Sequence, residues 1–141
     1  MRTSSQRDRF ATLRSVAELE GCTDSEIWSL LTHADEVRVF AGDGVAQEGR
    51  YCNELVIVME GALCSGRQLV GPGETVGWSE MWERSTNRAT VTAETDARLL
   101  VMSHDQFRAV KALVGPGVVG TVEPCLRSPS LEREARSSLA S

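Results

Sequence analysis

Turn residues interrupt the chain so often between Val37 and Met102 that its apolar segments there have room only for short strands. In "EVRVF", Val37 and Val39 alternate with Arg38 and fall on one strand face. The turn-rich "AGDGVAQEG" leaves only a short strand around Val45. The continuous apolar run Leu55 to Met59 predicts a strand buried on both faces. "GALCSGRQLVGPGE" predicts two strand pieces about a turn at Ser65-Gly66, and Pro72-Gly73 marks the next turn. Two further strands, Ala89 to Glu94 and Arg98 to Met102, are joined at Thr95-Asp96. Short strands at this spacing predict a mainly β fold, an antiparallel β-roll or jelly roll.

Helices are expected on both sides of the roll. Thr23 and Glu26 form a capping box before Ile27, Leu30 and Leu31, with Trp28 beside that stripe. Ser103 and Gln106 form a second box before Phe107, Val110 and Val114. Gly115-Pro116-Gly117 then ends the helix. These signals predict a flexible basic arm at 1–12, a roll with flanking helices at 13–114, and a polar, largely flexible tail at 115–141.

The 141 residues suffice for one domain, with an aliphatic core because aromatic residues make up only 5%. No apolar run approaches the roughly 20 residues that span a bilayer, and no apolar segment follows the polar N-terminus. A cytoplasmic, non-membrane protein is expected. Cys22, Cys52, Cys64 and Cys125 lack paired spacing, and His33 lies far from His104, which argues for free thiols and against a zinc site. The net charge is −5, unevenly spread. Residues 1–14 hold four arginines against Asp8, whereas residues 15–116 hold eight basic and sixteen acidic groups. Such a body repels polyanions, so direct nucleic-acid binding is not expected of it.

The order of four segments resembles the cyclic nucleotide-binding domain of catabolite-activator regulators, kinase regulatory subunits and gated channels. They are "SEIWSLLTHADEVRVFAGDGVAQEG", "NELVIVMEGAL", "LVGPGETVG" and "RATVTAETDARLLVMSHDQFRAV", together covering roughly 13–114. The resemblance implies a phosphate-binding cassette in which backbone N–H groups at a short helix face the cyclic phosphate. It also implies a glutamate directly after the cassette glycine, for the ribose hydroxyl. An arginine two residues before the alanine of the next strand pairs with the phosphate.

On this correspondence Gly77 is the cassette glycine, Trp78 stands where the glutamate belongs, and Asn87 stands where the arginine belongs, two before Ala89. Each lost charge-assisted contact typically removes about 1.5–3 kcal/mol. Two such losses take a micromolar site to roughly millimolar. Arg88 and Glu80 are the candidate substitutes, but on a strand a one-residue slip turns Arg88 to the other face, and Glu80 points differently from position 78. The hairpin around Ser65-Gly66 is also shorter than the family's, and the 24 residues after Gly117 are too few and too polar for a winged helix-turn-helix.

In "WSEMWE", Trp78 and Trp82 lie four apart on one helical face, either as core cover or as an exposed anchor for a protein partner. Glu74, Glu80 and Glu83 read as a solvated rim. The contiguous "SHD" at 103–105 reads as a helix cap, since catalytic triads are spatial. The expected function is therefore a non-enzymatic, stand-alone regulatory or protein-interaction module without a cofactor, its cyclic-nucleotide binding weak or lost. One alternative is a true cyclic AMP or cyclic GMP receptor using Gly77, Ser79, Arg88 and backbone N–H groups. The other is a transcription-related protein reaching DNA through a partner or the arginine arm.

Overall fold

The structure, a computed structural model, describes residues 6–114. The roll belongs to a compact unit that ends at Val110. The predicted tail at 115–141, with Cys125, lies outside the described residues.

The N-terminal expectation requires correction. Residues 6–12 are not a flexible arm but most of helix α1, Gln6–Arg14. Long-range contacts hold it there. Leu13 is fully buried, Phe10 stacks on Trp28 at 4.6 Å, and Arg9 pairs with Glu36 at 3.2 Å. Arg14 reaches the carbonyls of Leu19, Glu20 and Cys22 as well as the Asp24 carboxylate. Arg9 and Arg14 are thus committed within the fold, which removes two of the four arginines proposed to meet DNA.

A single 3₁₀ turn, Ala17–Leu19, leads to helix α2, Asp24–Leu31. The predicted capping box closes it: the Glu26 N–H donates to Thr23 Oγ1, and the Thr23 N–H donates to Glu26 Oε1. Strands β1 (Asp35–Val39), β2 (Gly44–Ala46), β3 (Glu54–Glu60), β4 (Leu63–Ser65), β5 (Gln68–Val70) and β6 (Thr75–Val76) follow. Helix α3 (Trp78–Glu83), strands β7 (Val91–Ala93) and β8 (Ala97–Ser103), and helix α4 (His104–Val114) complete the described chain. The Ser103–Gln106 box caps α4 as expected.

Two antiparallel four-stranded sheets result, ordered β1-β8-β3-β6 and β2-β7-β4-β5. Val56 and Val58 of β3 and Leu99 and Val101 of β8 face Leu63, Val91 and Ala93 of the second sheet across an aliphatic core. The alternate residues Leu55, Ile57, Leu100 and Met102 are also buried, as period-two alternation requires of a strand covered on both sides. Helices α1 and α3 contact β3. This is why "LVIVM" is apolar throughout and does not alternate. Val37 shares the inner-facing register with Leu99, yet β1 is an edge strand and Val37 remains 38% exposed.

Gly61 turns β3 into β4 at φ 90°, and a Cβ there would lie 2.4 Å from the Asp96 carbonyl oxygen. The β3–β4 connection therefore accepts only glycine without backbone movement.

The 3₁₀ turn places Glu18 beside Thr75 of β6. Burial pushes the Glu18 carboxyl above its ordinary value near 4.5, partly opposed by a hydrogen bond within its own backbone and one with Thr75. Folding therefore favours the protonated form. This contribution to stability is present below the ordinary value and is lost as pH rises through the folded one. Glu18→Gln is expected to raise the urea midpoint more at neutral pH than at acid pH. An equal gain at both would show that Glu18 desolvation does not govern the slope.

Candidate functional site

The cassette runs from β6 through α3 to the bend before β7. Gly77 takes φ 93° to start α3, with its backbone against β3: a Cβ would lie 3.0 Å from the Glu54 carbonyl and 3.2 Å from Cys52 Sγ. The helix lasts six residues and ends at Arg84, which adopts the left-handed conformation at φ 55°.

Helical geometry then separates the side chains of 78 and 80. Trp78 turns inward, 8% exposed, and its ring meets Phe107 of α4 edge-on at 5.6 Å. Trp82 makes the same kind of contact with Phe107 at 5.8 Å. Trp78 is therefore not the exposed anchor that the sequence left open. It is core, and Trp82 is only half-buried beside it.

Glu80 turns outward into a cavity of about 190 Å³, together with Gly77, Asn87, Arg88 and Ala89. Trp78 and Ser79 do not line it. Glu80 is thus no mere rim residue: its carboxylate accepts from the Arg88 N–H at 3.4 Å, and Glu83 pairs with the Arg88 guanidinium at 3.0 Å. Both side chains of that pair are more than half exposed. Glu74, the third acid of the series, closes the preceding turn by accepting from the Gly71 N–H.

The expected strand from Ala89 also needs correction. Arg88 and Ala89 form a bend, and β7 begins only at Val91. The alternation argument against Arg88 therefore does not apply. What limits Arg88 is its acidic neighbours.

Asn87 occupies the arginine position but serves a different purpose. Its N–H donates to the Arg50 carbonyl at 2.7 Å, its carbonyl accepts from Gly49 at 3.0 Å, and its side-chain amide donates to the Gln47 carbonyl at 3.0 Å. Neighbouring contacts, Cys52 N–H to the Ser85 carbonyl and Glu48 N–H to Thr90 Oγ1, extend the seam. The segment 85–90 is thereby stitched to 47–52. Asn87 and Gly77 also line a second cavity, of about 200 Å³, beside that seam. Sequence reasoning missed this seam because it joins residues 40 apart in the chain through backbone groups that carry no side-chain signature.

The first helical turn of the cassette holds Glu80, the Asn87 side chain donates to Gln47, and the Arg88 guanidinium pairs with Glu83. Each cavity is also smaller than the roughly 300–1,000 Å³ usual for drug-sized ligands. Among the described residues, no group of three or more histidine, cysteine or acidic side chains is placed to hold a metal. No helix among them is long and apolar enough to cross a membrane.

A family model described as the cyclic nucleotide-binding domain matches residues 36–112. The regulatory subunit of a cAMP-independent protein kinase A from Trypanosoma brucei superposes with a TM-score of 0.74 at 21% identity. That match covers 90% of this chain and 49% of the other. The regulatory domain of Toxoplasma gondii PKA with cAMP gives 0.70 at 20% identity, covering 77% of this chain and 46% of that one. The N-terminal domain of a transcriptional regulator from Streptomyces coelicolor gives 0.66 at 26% identity, covering 77% and 81%. The chain thus spans less than half the length of the two kinase regulatory chains. No curated protein matches the sequence.

Proposed function

Because the chain belongs to the cyclic nucleotide-binding domain family, we propose that it is a non-enzymatic regulatory or protein-interaction module whose cassette binds cyclic nucleotides weakly or not at all. The observation that carries this reading is the state of the phosphate position. Asn87 spends its amide on Gln47, Arg88 is held by Glu83, and the Glu80 carboxylate faces the same cavity. A cyclic phosphate entering there faces the Glu80 carboxylate, and the one cation lining that cavity, Arg88, is already paired with Glu83.

A relative supports the weight placed on the arginine. The Trypanosoma brucei kinase subunit is described as cAMP-independent, and a triple mutant of it is bound to cAMP in the A site. One of that mutant's three changes replaces threonine with arginine. Free thiols at Cys22, Cys52 and Cys64 suit a reducing compartment, and cytoplasmic residence is part of the proposal. A regulatory role through a protein partner follows from the family and not from any surface described above.

The receptor reading has one observation in its favour. Arg88 lines the cassette cavity, and its exposed pair with Glu83 is worth only about 0–1 kcal/mol. Calorimetric titration with cyclic AMP and cyclic GMP to millimolar concentration separates the two. No saturable heat is expected. Micromolar binding that is lost in Arg88→Gln would replace the degenerate reading with the receptor.

A further inference from the structure

The second cavity differs from the cassette in what lines it. Val45, Val56 and Val76 line it together with Arg50, Glu54 and the amide residues Gln47 and Asn53. Among the described residues, neither Arg50 nor Glu54 makes an ion pair, with each other or elsewhere, and neither of the two amides has a hydrogen-bond partner. The Gln47 group that Asn87 uses is the main-chain carbonyl, which leaves the side chain available.

We propose that this cavity binds a small zwitterion of the α-amino-acid class, its carboxylate on Arg50 and its ammonium on Glu54. The selection is electrostatic. A ligand bearing only negative charge gains from Arg50 and is repelled by Glu54; one bearing only positive charge meets the reverse. A molecule carrying both charges a few bonds apart satisfies the two together. Arg50 and Glu54 line the same cavity, so a ligand within it can meet both.

Size and directionality agree with this class. About 200 Å³ is too little for the usual drug-sized ligand yet enough for a compact one. The amides of Gln47 and Asn53 offer both donors and acceptors to an ammonium and a carboxylate. The three lining valines suit a small apolar side chain. Such an occupant would also touch Asn87 and Gly77, which line the cassette cavity as well, so it would brace the seam that closes the cassette. The two cavities share Ala46, Val76, Gly77 and Asn87, so this site lies beside the cassette, and the proposal does not require the cassette to retain cyclic nucleotide.

The test uses the full chain and the standard amino acids, singly, by thermal shift and then calorimetry at millimolar concentration. At least one is expected to bind. Its decarboxylated amine and its N-acetyl derivative are each expected to bind roughly tenfold or more weakly, having lost one charge. Arg50→Gln should weaken the amino acid by about ten- to a hundredfold and tighten the amine, which loses the repulsion of Arg50. Glu54→Gln should weaken the amino acid similarly and tighten the N-acetyl derivative, which loses the repulsion of Glu54. Both positions are exposed, so both variants are expected to melt like the parent. No binding by any amino acid, or affinity unchanged in both variants, overturns the proposal.

Discussion

Replacing Phe107 by alanine is expected to destabilise the domain by about 3–5 kcal/mol, the range for removing a buried phenylalanine from a packed core. Phe107 is fully buried, and the rings of both Trp78 and Trp82 meet it edge-on. Edge-to-face pairs add roughly 0.5–1.5 kcal/mol each beyond area burial. Against a total stability of about 5–15 kcal/mol for a typical domain, the variant stands close to unfolding. Urea denaturation followed by tryptophan fluorescence measures this directly, because two of the three tryptophans adjoin the substituted ring. Phe107→Leu should retain much of the lost stability by keeping most of the volume. A loss in Phe107→Ala below about 1 kcal/mol, the range of surface substitutions, would show that the α3–α4 junction does not depend on this ring.

Trp78→Glu restores the family's glutamate by sequence but is expected to destroy the fold instead of recovering a ligand. The side chain at 78 points at Phe107 and not into the cassette cavity. The substitution removes a buried aromatic, about 3–5 kcal/mol, and leaves a carboxylate in a desolvated place. Asn87→Arg should be far milder, at about 0.5–1.5 kcal/mol for the lost hydrogen bond to Gln47. It is therefore the better route back toward a phosphate contact. Thermal melts and cyclic AMP calorimetry on both variants decide the point. A Trp78→Glu protein that folds with parental stability and binds cyclic AMP at micromolar concentration would show that position 78 faces ligand after all.

The contrast between these two positions shows how far the sequence could be read. The order of segments gave the family, and the match over residues 36–112 agrees with it. Both capping boxes formed as read, because they depend on residues three apart. "LVIVM" was legible as a doubly covered strand because burial on both faces leaves no place for a polar side chain. The absence of the glutamate and arginine at 78 and 87 was equally visible, since a missing residue type needs no coordinates.

Where the replacements point was not legible. Trp78 could be read as core cover or as an exposed anchor, and helical geometry sends it to α4 and sends Glu80 into the cavity. Arg88 was judged by strand alternation, but a bend occupies that stretch. The basic arm looked flexible because nothing local holds "QRDRFATLR" together; its anchors Glu36, Asp24 and Trp28 lie on other elements.

The sequence by itself determined the two capped helices, the central strands and the family, and it showed which residue types stand at 78 and 87, because local periodicity and residue type carry that information. Only the tertiary structure decided that Asn87 is a clasp on Gln47, that Arg88 is held between two acids, and that α1 belongs to the fold. Those facts rest on contacts between residues 5 to 40 apart in the chain, where direction in space and not residue type sets the energy.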